Sequence, residues 1–308
     1  MTTPLYLCAP SAVGRTENTC SAADFEQALR LQTGQQCGQQ LRQASHFIRL
    51  AVAPALSSAR AGQMPPEGGV YLGTGLGDLC TAAALFHQVA AGSGRPSPFD
   101  FVNVNNNTAA YYIARIAGLT GPNLTVTQGI LSFEWALALA VNDLAGGLSH
   151  ALVGGVDEMG LPPEDQARRF HVNAGQYSGE GSGWMVVTRE RSGACARFIK
   201  LCWVRVDSAA WIEEVRAHCL AVAAEVPIRL LPGLGVDSQI LDLLVKALPN
   251  LRPEPFLGQS GAYPTVAAWA VASCLKAVQC PGIAMHMSVN GRGDSVLLFW
   301  ETLGAARL

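Results

Sequence analysis

Short apolar runs closed by Gly or polar residues alternate along this chain with longer Ala- and Leu-rich stretches. Leu5 to Ala9, Val70 to Leu72, Leu124 to Val126, Ala151 to Val153, Trp184 to Val187 and Val296 to Trp300 have the length and bounds of buried strands. Asp78 to Ala91, Ser132 to Leu144 and Thr265 to Val278 have the length and composition of helices. This alternation predicts an α/β protein whose sheet is covered by helices. Phe133 to Leu144 is interrupted only by Glu134, Asn142 and Asp143, so it should be a buried helix. Gly160 to Gly175, with Pro162-Pro163 and the charged run Glu164 to Arg169, reads as a loop. No repeat at a solenoid period is present. A polar stretch, Arg189 to Gly193, separates two halves of similar strand-helix-strand character and predicts units at 1–190 and 191–308.

Composition narrows the function classes. With 308 residues and 49% hydrophobic content the chain can bury a large core. Its 21 Lys+Arg against 23 Asp+Glu give a formal charge of -2, which argues against a nucleic-acid backbone or an anionic membrane as partner. Every apolar run is interrupted by Gly, Pro, Asn or a charge before reaching membrane-spanning length, so no membrane insertion is expected. Residues Met1 to Pro10 lack a signal peptide's basic and apolar regions. The nine cysteines, Cys8, Cys20, Cys37, Cys80, Cys195, Cys202, Cys219, Cys274 and Cys280, form no CxxC or His-paired metal spacing. We read them as reduced core thiols of a cytoplasmic protein, with no metal and no cofactor.

Glycine clusters invite cofactor readings that the neighbouring residues discourage. After Val70 to Leu72, the third glycine of a dinucleotide fingerprint would fall on Asp78, an acid that repels pyrophosphate. Gly73, Gly75 and Gly77 therefore read as a tight strand-to-helix turn. Gly179 to Gly183 lacks the Lys-Ser/Thr of a phosphate loop and reads as a backbone crossing point. Arg292-Gly293-Asp294 reads as a turn.

Five segments in order resemble the β-ketoacyl synthases. Ser97-Pro98-Phe99 through Asn105 to Ala110 and on to Gly118-Leu119-Thr120-Gly121-Pro122-Asn123 resembles the approach to the nucleophile strand. Val153-Gly154-Gly155-Val156-Asp157 resembles the Ala-Gly-Gly-Ala-Glu strand end, and Gly179 to Val187 the last strand of the first half. Leu257 to Ala262 resembles the Gly-His-x-x-Gly-Ala helix start, and Val289 to Phe299 the closing Asn-Ser-Phe-Gly-Phe-Gly-Gly strand. The resemblance implies a thiolase-like fold: two related α/β halves in a helix-sheet-helix-sheet-helix arrangement, here shortened in the second half.

The same resemblance implies that the condensing chemistry is gone. A synthase needs a thiolate to carry the acyl group and two histidines for decarboxylation and enolate stabilisation. Counted forward from Gly121-Pro122 the nucleophile slot falls on Ile130; counted back from Gly154-Gly155 it falls on Gly129. Pro232 stands at the first histidine, Gln259 at the second and Glu254 at the family's lysine. Gln128 does not restore a decarboxylating variant, since it is displaced from the slot and lacks the histidines.

What remains is similar to chain-length factors, synthase-like subunits that pair with an active β-ketoacyl-ACP synthase and shape its acyl tunnel. Such a role implies a heterodimer and, through it, contact with an acyl carrier protein in polyketide, polyene or fatty-acid-like biosynthesis. The short chain points to the accessory subunit of an aryl-polyene cluster. Phe99, Phe101, Tyr111, Tyr112, Phe133 and Trp135 are the candidates for tunnel or interface contact. The alternatives are a malonyl decarboxylase or acyltransferase on the same fold, or a homodimeric acyl-binding protein.

Overall fold

The computed structural model describes residues 3–92, 95–170, 177–206, 210–277 and 280–304. Its first half runs β1 (Leu5–Thr16), α1 (Ala22–Cys37), α2 (His46–Ala61), β2 (Gly69–Gly73), α3 (Leu79–Ala90), α4 (Pro98–Asn103), α5 (Thr108–Ala117), β3 (Asn123–Val126), α6 (Ser132–Ala145), β4 (His150–Asp157), α7 (Pro163–Arg169) and β5 (Gly179–Thr188). The second runs β6 (Ala194–Arg205), α8 (Trp211–Val222), β7 (Ile228–Pro232), α9 (Ser238–Ala247), β8 (Leu251–Pro253), α10 (Leu257–Ser260), α11 (Val266–Ala277), β9 (Gly282–Val289) and β10 (Asp294–Thr302).

The strands form one ten-stranded sheet in the order β3-β2-β4-β5-β1-β6-β10-β9-β7-β8. Read inward from each edge, the two halves repeat. β2 lies parallel to β3 and β4, followed by antiparallel β5 and β1; β7 lies parallel to β8 and β9, followed by antiparallel β10 and β6. The halves meet where β1 pairs with β6.

Strand alternation sorts side chains into layers. Val70, Leu72, Leu152 and Val186 pack outward against α2, while Tyr71, Val153 and Val187 face a central core with α6 and α11. In the second half Met285, Met287, Leu297 and Phe299 face outward to α8 and α9, and Leu298 and Trp300 face the central core. This is the expected helix-sheet-helix-sheet-helix layering. Helix α6 is buried on most of its circumference, and Trp135, 41% exposed, marks its open side.

Several local expectations hold and others need correcting. In β5 a Cβ on Gly183 would collide with the Ala268 carbonyl of α11, so the glycine run is a crossing point of two backbones. The stretch from Gly160, read as a loop, contains the helix α7 at Pro163–Arg169, because the prolines and Glu164 and Asp165 start a helix that Arg168 and Arg169 end. Residues 171–175 of that stretch lie outside the described residues, as does Val278. The cysteines are all free, yet Cys20, Cys80 and Cys280 are exposed rather than core.

Two buried polar networks tie the layers together. Asp157, at the end of β4, accepts from Thr74 Oγ1 (3.0 Å), the Gly75 and Leu76 amides (both 2.9 Å), and the Thr265 amide and hydroxyl (3.0 and 2.8 Å). It thereby joins the Gly73–Gly77 turn to the start of α11. Burial pushes its carboxyl up to about 6, against the pull of those donors.

In the second network His46 bridges Glu26 (2.6 Å) and Glu180 (3.0 Å), and Glu180 also accepts from Arg15 (2.5 Å). Burial alone would lower the His46 pKa, but hydrogen bonds and charge from the two glutamates raise it to about 10. Against its own burial, Glu180 is drawn down to about 2 by His46, the Met159 amide and Arg15. A raised His pKa stabilises the fold fully below its ordinary 6.5 and loses that as pH climbs toward 10. A lowered Glu pKa stabilises above 4.5 and is lost as pH falls toward 2. The contribution of this network, read as the difference in urea-derived stability between wild type and His46→Ala so that groups such as Asp157 cancel, should therefore be flat between these ordinary values and fall on both sides. His46→Ala should cost about 3 kcal/mol inside that window and flatten the profile outside it. An unchanged profile in the variant would refute this account.

Candidate functional site

Strand β3, a short connection and α6 make a strand-turn-helix elbow, the geometry in which a nucleophile is presented at a helix N-terminus. Gly129 sits at the bend with φ +59°, in the left-handed region that disfavours a side chain. Its Cβ position opens onto free space. Ile130, one residue on, is half-buried and packs against the central core. Ser132 Oγ accepts from the Gln128 amide (2.8 Å) and lies within hydrogen-bond reach of the Thr74 and Gly129 carbonyls, pinning the elbow to the β2 turn.

The structure places the other positions named from sequence as follows. Pro232 ends β7, paired with Met287 of β9, and has neither an amide hydrogen nor a titrating group. Gln259 lies exposed on α10. Glu254 forms a two-point surface ion pair with Arg229 (2.8 and 2.7 Å). Cys80 lies at the surface, yet partial desolvation of its sulfur together with the Glu158 charge pushes the thiol up to about 12, which disfavours the thiolate.

The fold also builds a polar cluster that sequence spacing did not reveal. His286 of β9, fully buried, bonds Ser288 Oγ through Nε2 (2.8 Å) and places that atom 3.4 Å from Glu134 Oε1 of α6. Neither Glu134 oxygen has a hydrogen-bond partner among the described residues, nor does His286 Nδ1. A Cβ on Gly233 would lie 2.6 Å from His286 Cε1, so the imidazole stands beside the end of β7, one strand over from Pro232. The available signal was the alternation in β9, where His286 and Ser288 share the inner face between outward Met285 and Met287.

A cavity of ≈ 860 Å³ opens at the elbow, lined by Thr127 to Leu131 and by Trp135, Trp203 and the β9–β10 hairpin. Of the aromatic candidates, Trp135 lines this cavity and Phe133 is fully buried in the central core. Phe99 and Phe101 on α4 and Tyr111 on α5 are 55%, 66% and 52% exposed. Tyr112 is half-buried with its ring 5.8 Å from that of Tyr111. The structure thus leaves Phe99, Phe101 and Tyr111 exposed on the adjoining helices α4 and α5, turns Tyr112 partly into the outer core, buries Phe133 and places Trp135 at the cavity.

Solved structures share this fold over nearly the whole chain. The ishigamide ketosynthase/chain length factor superposes at TM-score 0.73 and 18% identity, covering 98% of this chain and 100% of that one. A β-ketoacyl synthase from Burkholderia phymatum gives 0.72 at 14%, again over 98% and 100%. A chain from AntDE:AntF, a type II PKS acyl-carrier protein in complex with its ketosynthase bound to the hexaketide, gives 0.75 at 11%, over 98% and 100%. At these identities the likeness is one of fold. No curated protein matches the chain in sequence. Residues 21–192, more than half of the 308, match the β-ketoacyl synthase N-terminal domain, and the chain therefore belongs to the β-ketoacyl synthase family.

Proposed function

We propose that this chain is a non-catalytic chain-length factor that pairs with an active β-ketoacyl-ACP synthase and helps shape its acyl tunnel. The observation that carries this reading is an uncovered apolar face beside the sheet edge. Helix α3 is largely apolar yet buries none of its residues; Phe86 and Val89 are 70% and 61% exposed. Phe99, Phe101 and Val102 of α4 and Tyr111 of α5 extend the exposed set, and β3 leaves one edge of its backbone unpaired. An apolar face of this kind together with an open strand edge is a surface made for a partner. The occupant we favour is a synthase subunit of the same fold, whose own β3 would extend the sheet; an acyl carrier protein would meet the pair.

In this reading Gly129 is the emptied nucleophile position, and the chain divides at 190–191, the centre of the strand repeat. The Glu134–His286 pair is no substitute for the lost histidines, because both side chains are wholly buried. Within this class we favour, on the emptied site, an accessory subunit of aryl-polyene synthesis.

The test is co-expression with a synthase that carries the Cys-His-His set, then mass spectrometry of both subunits after exposure to acyl-carrier substrate. The acyl adduct should form on the partner only. Gly129→Cys and Ile130→Cys should both leave this chain without condensing activity, since Pro232 and Gln259 supply no proton-transfer group. An adduct on a cysteine of this chain that chases into product would overturn the proposal.

A further inference from the structure

The cavity at the elbow carries charge that acyl-tunnel shaping does not require. Three arginines, Arg169, Arg205 and Arg292, line it against one acid, Asp294. That leaves a formal surplus of two positive charges in a chain whose overall charge is -2. Arg205 pairs with Asp294 (3.3 Å) and is thereby held in place. Arg292 sits at the tip of a preorganised hairpin, in which Asn290 Oδ1 accepts from the Arg292 and Asp294 amides, both at 2.9 Å. Arg205 also donates to the Arg292 carbonyl (3.2 Å).

Beside these cations Trp135 and Trp203 stack with centroids 4.4 Å apart at 34°, one from each half of the molecule. They remain 41% and 38% exposed, so further ring surface is open to a ligand. Arginine forks bind phosphate oxygens, and indole faces stack planar rings. The volume suits a small molecule rather than a protein segment.

We propose that this cavity binds a small ligand that unites a planar ring with two or more phosphate charges, the chemistry of a nucleoside diphosphate and of the nucleotide half of coenzyme A. The ring stacks on the Trp135–Trp203 pair and the phosphates lie between Arg169 and Arg292, with Arg205 fixing the hairpin that presents Arg292. A single carboxylate would leave part of the positive surplus unmatched. The proposal does not depend on the pairing reading, because every group named belongs to this chain.

Tryptophan fluorescence of the full chain, or of its co-expressed complex, should be titrated with coenzyme A, ADP, pantetheine and 4-hydroxycinnamate. Coenzyme A and ADP should quench saturably; pantetheine, lacking the nucleotide, and the planar monoanion should bind at least tenfold more weakly. Quenching by coenzyme A alone points to its thioesters as the source, and quenching by both to nucleotides in general; either supports the site. Arg292→Glu should weaken binding at least tenfold while Arg216→Glu on α8 leaves it unchanged, which also separates this cavity from any site on a partner. Calorimetry with Trp203→Leu should show a similar loss. No saturable binding, equal binding of pantetheine, or unaltered binding by Arg292→Glu would overturn the assignment.

Discussion

Replacing Asp157 with alanine should cost the fold more than about 4 kcal/mol, comparable to the whole stability of many domains. The carboxylate receives donors from Thr74, Gly75, Leu76 and Thr265 at the junction of the β2 turn and α11. Removing it strands these donors in the interior, each at a cost of about 1–3 kcal/mol where water cannot reach. Asp157→Asn keeps one acceptor but turns an NH2 group toward donors, so it should fall between wild type and alanine. Thr74→Val deletes one donor to Asp157 and also the acceptor of the Gly77 amide (2.9 Å), so it should cost about 1–3 kcal/mol, less than Asp157→Ala. Urea midpoints of the three variants, measured in whichever form of the protein is soluble, give the ranking. An alanine variant with the wild-type midpoint would mean that the junction is held by packing alone.

Charge on the uncovered apolar face should abolish pairing. Phe86 and Phe101 are 70% and 66% exposed in the single chain, so Phe86→Glu with Phe101→Glu disturbs nothing there and should leave folding stability within about 0.5 kcal/mol per site. In a complex, each substitution removes an aromatic anchor worth about 2 kcal/mol or more and buries a carboxylate without a partner. Together they should weaken association at least ~100-fold, beyond detection in co-purification, while making the free chain more soluble. Co-purification of the double variant at the wild-type ratio would remove this face from the interface. Tyr111→Ala, at the margin of the patch, should alter product length or complex stability while the partner's cysteine still acylates.

The first half was the more legible in sequence, for physical reasons. Runs such as Val70 to Leu72 and Ala151 to Val153 are buried on both sheet faces, so they stand out as uninterrupted apolar stretches. Strand β6 mixes Arg197, Lys200 and Arg205 into its run, and β8 is a three-residue pairing at the edge; neither carries that signal. The nucleophile slot rested on counting, which cannot distinguish Gly129 from Ile130; the positive φ at the bend is the observation on which we propose Gly129. Glu134 and His286 meet only because α6 and β9 face the same central layer. Apolar composition in α3 predicted a helix but not its lack of cover, since cover depends on which neighbours the topology brings.

In the proposed reading, the bend at Gly129 bears on how easily such a chain could gain a reactive group. Any side chain there would hold a left-handed backbone that costs about 1–3 kcal/mol, a strain tolerated where it positions a nucleophile and relaxed by glycine. A mutation placing cysteine there would incur that strain at once, while its benefit waits on separate changes at Pro232 and Gln259. Each intermediate is then less stable and no more active. In the proposed reading the ratchet turns one way: relaxation at a single turn is enough to hold such a chain on the side of assembly rather than chemistry.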